Sequence, residues 1–263
     1  MNNSILRAGC GLAEMVFPQE FFQKTDDKGN VSFVDGFCGR VHSFEGKTGT
    51  ITDNLCTRVL LMENGLRVAI VALEIAQAPA DQVEYTQNIV GEICGVKPEN
   101  VWVHTTHQFG FMHRPDDMEK ADVYDSVMKE AAEKAAQMAM QTFEEAVIGI
   151  GTGKCHVSAN KNIMPPDGVG GGPYYGPGSE LETNPEMTVV RFSSKATGKD
   201  IGFFLSYGTK PSALCTVGKS EGNRLVNTEV TGHASKLMEE CFGAPCLFCM
   251  PAAGDQYPRK TAQ

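Results

Sequence analysis

The sequence predicts an α/β domain built on a mixed, largely parallel sheet covered by helices and carrying β-hairpins. Three observations predict it. Short β-rich runs alternate with helical stretches along the chain. One complete strand, helix, strand unit lies between Arg67 and Thr106. Two further pairs of β-rich runs are joined by glycine-containing turns, the usual hairpin signal.

The elements follow in order. Leu55 to Met62 and Arg67 to Leu73 are β-rich and meet across Glu63-Asn64-Gly65, which predicts a hairpin. After Pro79 an amphipathic helix runs to about Cys94, with Val83, Ile89, Val90 and Ile93 on its buried side, and Gly95 stops it. Pro98-Glu99-Asn100 introduces a strand from Val101 to Thr106, completing the βαβ unit. A long helix rich in Ala, Met, Glu and Lys is expected from Asp117 to Glu145, then a strand from Ala146 to Gly153. Met187 to Phe192 and Ile201 to Tyr207 form the second hairpin around Thr197-Gly198-Lys199. Val230, Ala234, Leu237, Met238 and Cys241 make a helical stripe that ends at Gly243 and leads to a strand from Cys246 to Met250. Met164 to Gly178, with Pro165-Pro166 and a glycine run, has no periodicity and reads as either a plain surface loop or a lid over a site.

At 263 residues, 21% charged and 41% hydrophobic, the chain has the composition of a globular protein, which excludes disordered, collagen-like and coiled-coil readings. No repeat or linker divides it, so residues 1–263 are read as a single α/β domain. The 23 basic residues against 32 acidic ones give a formal charge of -9, and the basic residues are not clustered. Nucleic acid is therefore not an expected partner. Nine cysteines, an odd number spread along the chain, favour a reducing compartment. Neither a leader pattern nor a run of about 20 apolar residues is present, so a cytoplasmic protein without membrane contact is expected.

Chemistry is expected where strands end. His104, His107 and His113 fall within ten residues at the end of a predicted parallel strand, where ligands of open α/β sheets bind. Residues three apart on a strand face opposite ways, so one of His104 and His107 faces the site. His107, nearer the loop, is the candidate for binding a metal or transferring protons. His104 and His113 are candidate substrate contacts, with a hydrogen-bonded core role and a solvated loop role as their respective alternatives. The second candidate turn, Ala252-Ala253-Gly254-Asp255-Gln256-Tyr257-Pro258-Arg259, again follows a strand. Its small residues let backbone N–H groups approach a ligand, and Asp255 can orient a base or bind a cation. Cys246 and Cys249 have metal-knuckle spacing but lack a second pair, which makes buried thiols the better reading. The glycine run lacks the Lys-Ser/Thr of a phosphate loop, so no nucleotide cofactor is expected.

Taken together, these segments resemble the neutral/alkaline ceramidase family, zinc-dependent amide hydrolases, in the order of short motifs along nearly the whole chain. Ala8 to Pro18 is similar to the family's opening strand, and Asp53 to Arg58 and Arg67 to Glu74 to the next two motifs. Pro98-Glu-Asn-Val-Trp-Val-His-Thr-Thr-His107 is similar to the Pro-Glu-Asn-Val segment that ends in Thr-His-Thr-His. Asn184 to Phe192, Asn227 to Gly232 and Ala252 to Arg259 follow the later motifs.

The resemblance implies that His107 matches a zinc-binding histidine. It also implies that the second histidine of that motif is replaced by Phe109, another zinc ligand by Lys210, and the nucleophilic serine by Tyr257. The family's remaining zinc ligands, a glutamate and a tyrosine, lie beyond its Gly-Asp turn, while this chain ends at Gln263. A second polypeptide or a homo-oligomer is therefore expected to complete the site, with residues 1–263 as the N-terminal part of a larger catalytic unit.

The function expected is hydrolysis of a C–N bond, amide or cyclic amide, in a small polar molecule rather than a sphingolipid, with or without zinc. His107, Lys210, Asp255 and Tyr257 are the candidate catalytic residues. His104, His113, Gly254 and Arg259 are the candidate substrate contacts. Two other readings stay open: a non-catalytic subunit that lost its ligands, and an isomerase or lyase using a Lys/His pair.

Overall fold

A computed structural model describes residues 5–18, 21, 23–25, 31–35, 42–45, 50–51, 53–109, 114–115, 118–163, 174–175, 181–214 and 225–259. The first strands are β1 (Arg7–Met15), β2 (Gln23–Thr25), β3 (Val31–Asp35), β4 (His42–Glu45) and β5 (Thr50–Ile51). Then come β6 (Leu55–Asn64), β7 (Leu66–Leu73), α1 (Ala80–Cys94), β8 (Val101–Thr105) and α2 (Met118–Gln141). The middle of the chain forms β9 (Glu144–Lys154), β10 (Ser158–Asn160), β11 (Asn162–Ile163), β12 (Tyr174–Tyr175), β13 (Glu186–Ser194) and β14 (Asp200–Tyr207). β15 (Leu225–Val226), α3 (Glu229–Phe242), β16 (Cys246–Cys249) and β17 (Gln256–Pro258) complete it.

Eight strands form one mixed sheet in the order β16-β14-β13-β9-β1-β6-β7-β8. Its mixed character is as expected; its direction is not. Only β7 with β8 and β14 with β16 are parallel, and the other neighbouring pairs are antiparallel. A parallel pair needs a crossover connection, and only α1 and α3 provide one within this sheet. The predicted hairpins take the rest of the connectivity, so the sheet is largely antiparallel rather than largely parallel. The first hairpin turns at Gly65, whose φ of 79° lies in the left-handed region that glycine occupies without strain.

The sheet doubles over on itself. Ala8, Cys10, Leu60 and Ala72 from β1, β6 and β7 share a buried cluster with Ala146, Phe192, Ile201 and Leu247 from the other half. The far ends of the strand order also meet, because Sγ of Cys249 lies 2.8 Å from Nε2 of His104. Burial raises the thiol and lowers the imidazole, so a neutral S–H donates to a neutral ring.

Helices α1 and α2 cover β1, β6 and β7 through Val59, Leu61, Val71 and Leu73 on the strand side and Val90, Tyr124 and Met128 on the helix side. The alanines of α2 have a geometric purpose: a Cβ added at Gly11 would lie 2.0 Å from the carbonyl oxygen of Ala135. Helix and strand touch backbone to backbone there. Gly11→Val is accordingly expected to cost about 3 kcal/mol, the upper range of overpacking, read as a lower urea midpoint; an unchanged midpoint would contradict this packing.

Two helices depart from the sequence expectation. α2 ends at Gln141 rather than Glu145, because Glu144 and Glu145 pair with Ala8 and Arg7 of β1. On α3 the apolar stripe is packed only in part: Ala234 and Met238 lie against the core, but Leu237 is 48% exposed and Cys241 is exposed, while the deepest residues are Thr231, Gly232 and Ser235. The reason is polar. α3 lies against an interior ion pair, Arg58 with Glu74, and its own Glu239 accepts from Nε of Arg58 at 2.6 Å. On α1, similarly, Val90 is buried as expected, but the deepest neighbours include Gln82 and Thr86.

Among the described residues, no helix is long and apolar enough to cross a membrane. Cys246 and Cys249 are buried free thiols, as the sequence reading favoured. Burial pushes Cys246 up to about 12. The possible lid, apart from Tyr174 and Tyr175, lies outside the described residues, as does His113.

Candidate functional site

The site forms where β8, β14 and β16 end. After Thr105 the chain makes one more sheet-like bond, Thr106 N–H to the Leu73 carbonyl at 2.9 Å, and then turns sharply. His107 makes that turn with φ of 55°, a left-handed conformation that few side-chain-bearing residues adopt. Its ring thereby reaches the loop after β7, and Nδ1 lies 2.9 Å from the carbonyl oxygen of Ala76.

A carbonyl only accepts, so in the neutral ring Nδ1 carries the proton and Nε2 keeps its lone pair. Burial is the main cause lowering the basicity of His107. The charges of Lys210 and Lys161 act in the same direction, against the opposing effect of the Ala76 bond. A neutral imidazole at neutral pH is the result.

The Phe109 and His107 rings are perpendicular, with centroids 4.9 Å apart and planes at 90°. Nζ of Lys210 sits 4.2 Å from the centroid of the same Phe109 ring. Backbone bonds lock the three loops together: Phe109 N–H to the Pro211 carbonyl at 3.1 Å, Lys210 N–H to the Gln256 carbonyl at 3.1 Å, and Lys161 N–H to the Asp255 carbonyl at 2.8 Å. Asp255 is held in turn by Nδ2 of Asn160, which donates to its carboxylate at 3.0 Å.

The structure thus brings His107, Lys210 and the Asp255 turn into neighbouring loops. Gly254 belongs to that turn and is open, with no atom within 4 Å of where a Cβ would stand. The other candidates have neighbours of their own. His104 is engaged by Cys249, the core role named as its alternative. Arg259 donates from Nε to the His156 carbonyl and from Nη2 to the Ser158 carbonyl, both at 3.3 Å, which fastens β17 beside β10. Tyr257 pairs with Ala159 in the β10–β17 ribbon.

Two residues escaped the sequence reading. Lys161 adds a second positive charge near His107, and nothing in the local sequence marks it. Glu229 is almost fully buried, with φ of 52°, and its carboxylate accepts the N–H groups of Ala213 and Leu214 at 2.8 and 3.1 Å. It fixes the loop that follows Lys210. The contact joins residues about 15 apart across a turn and leaves no periodic trace.

The zinc site implied by the resemblance is not matched by these residues. Of the three positions, only His107 offers a lone pair; Phe109 offers a phenyl ring and Lys210 an ammonium. Among the described residues, no group of three or more His, Cys, Asp or Glu side chains is placed to hold a metal ion.

A doubled-over mixed sheet with its loops gathered at the strand ends defines the fold class, and solved structures share it: the fold is that of the neutral ceramidases. The chain is similar to neutral ceramidase from Pseudomonas aeruginosa, with 18% sequence identity and a TM-score of 0.69, covering 98% of this chain and 40% of that one. It is also similar to a ceramidase solved in complex with C2, with 17% identity and a TM-score of 0.68, covering 97% and 39% of the two chains. The chain therefore spans about 40% of the length of the ceramidases it matches. At these identities the likeness establishes the fold. No protein-family model matches the sequence, and no curated protein does.

Proposed function

We propose that the chain hydrolyses a C–N bond, amide or cyclic amide, in a small polar substrate. One observation carries the reading: the Ala76 carbonyl fixes the His107 tautomer, leaving Nε2 as a free base among positive charges. In this scheme Nε2 takes a proton from water as the water oxygen attacks the carbonyl carbon. The Lys210 ammonium and the backbone N–H groups of Ala253 and Gly254 stabilise the oxyanion. The proton then passes from His107 to the leaving nitrogen, and a carboxylate and an amine are released. Asp255, anchored by Asn160, holds the turn that presents those N–H groups. Tyr257 has no step in this scheme.

A second polypeptide, or a second copy of the chain, belongs to the same reading. On β9, Ile148 is 46% and Ile150 70% exposed on one face of the strand, an apolar surface suited to further protein. Intact-mass and co-purification analysis tests this part; a monomer with full activity would refute it.

Activity is tested by incubating the protein with a panel of N-acyl amino acids and cyclic amides and measuring new amine and carboxylate. Because His107 must be neutral, the rate is expected to fall on acidification. Because its basicity is lowered, the midpoint of that fall is expected below the ordinary histidine value of about 6.5. A pH–rate profile with its acid midpoint well above that value would assign the base elsewhere.

A further inference from the structure

The resemblance places a divalent metal among residues 107, 109 and 210, and here the His107 and Lys210 side chains both lie against the Phe109 ring. The His107 ring stands perpendicular to that ring at 4.9 Å between centroids, and the Lys210 ammonium lies over it at 4.2 Å. A phenyl ring donates no lone pair to a metal, but its face attracts a cation. An ammonium repels a divalent ion and attracts an anion. The two replacements are thus complementary to each other: the ring that removed a ligand is the surface on which the new charge rests.

We infer that Lys210, seated on Phe109 beside His107, is a tethered cation standing in the position of the metal, so that the cluster receives a carboxylate or oxyanion and excludes divalent ions. The geometry gives the charge a defined place. The Lys210 backbone N–H is bonded to Gln256, and the neighbouring Pro211 carbonyl accepts from Phe109, so ring and ammonium are held by the same pair of loops. The positive charge of Lys161, which also acts on His107, adds to the field without supplying a ligand. Where an amide substrate is bound, as proposed above, the ammonium would meet the oxygen on which negative charge develops. The anion preference itself does not depend on that reaction.

Two substitutions should reverse the preference. In the Phe109→His/Lys210→His variant three imidazoles surround one point, and equilibrium dialysis against zinc is expected to show about one ion per chain, lost again on adding His107→Ala. The wild type under the same conditions is expected to retain none. Acetate serves as the anion probe, followed through the His107 imidazole resonances. Lys210→Met is expected to weaken acetate binding by at least about tenfold, a loss of one charged partner, and to raise the basicity of His107.

A wild-type protein that holds one zinc per chain through His107 would overturn the inference. So would a folded double variant that takes up no zinc, or acetate binding that is equal in wild type and Lys210→Met. If the double variant does not fold, the Lys210→Met comparison decides. None of these readouts uses turnover, so a wild type inactive on every amide would sink the hydrolase reading and leave this one standing.

Discussion

Replacing His107 with alanine is expected to lower kcat by about 100- to 10,000-fold, the range over which a positioned acid–base group acts, while the thermal midpoint stays close to that of the wild type. Both halves follow from its position. The ring is half-buried at a strand end rather than packed in the core, and it is hydrogen-bonded to the Ala76 carbonyl. That bond is also the reason its effect on the rate should be large. It fixes which nitrogen is the base, so glutamine, which reaches similarly but has no titrating nitrogen, should leave the activity as low as alanine does. Undiminished turnover in His107→Ala, on any substrate that the wild type cleaves, would remove His107 from the mechanism.

The largest loss of stability is expected from Arg58→Met. Its side chain is 1% exposed, is bonded to Glu74, and donates through Nε and Nη2 to Glu239 at 2.6 and 3.1 Å. Those carboxylates keep the guanidinium charged despite burial. Each has a further duty: Glu74 accepts the Cys56 N–H at 2.7 Å, and Glu239 accepts that of Cys246 at 2.9 Å. Removing Arg58 leaves the Glu74 carboxyl buried without its counter-ion, a change that typically costs about 3–5 kcal/mol. Arg58→Met/Glu74→Met removes both charges, and much of the loss should return in urea unfolding. A single variant less than about 1 kcal/mol below wild type would show that water reaches the pair.

The parts of this architecture that were legible in the sequence are those set by local rules. Gly65 marked the first hairpin, Gly95 and Gly243 the ends of α1 and α3, and Thr197-Gly198-Lys199 the turn between β13 and β14. Sheet direction was misjudged because one clear βαβ unit was taken as the pattern for the whole sheet, whereas β1 finds antiparallel partners in β6 and in distant β9. The end of α2 was placed too late because Glu144 and Glu145 are good helix formers, and pairing with β1 overrides that preference. The polar character of the deepest face of α3 was hidden because apolar spacing finds Ala234 and Met238 but cannot reveal that a helix also faces a buried ion pair.

The site was legible to the same degree. His107 and the Asp255 turn stood out because strand ends in α/β sheets bind ligands. Lys210 came from the family resemblance, and its contact with Phe109 from the structure alone. Lys161 and Glu229 act through contacts between loops, which a linear pattern does not record.

The order of strands also has a kinetic meaning. β1 must wait for β9 before its second edge is paired, and β14 must wait for β16, which arrives after α3. Such sequence-distant pairings close slowly, while a helix such as α2 forms fast. During refolding the chain would therefore regain helical signal well before the loops carrying His107, Lys210 and Asp255 converge, and a nearly native intermediate would be catalytically silent.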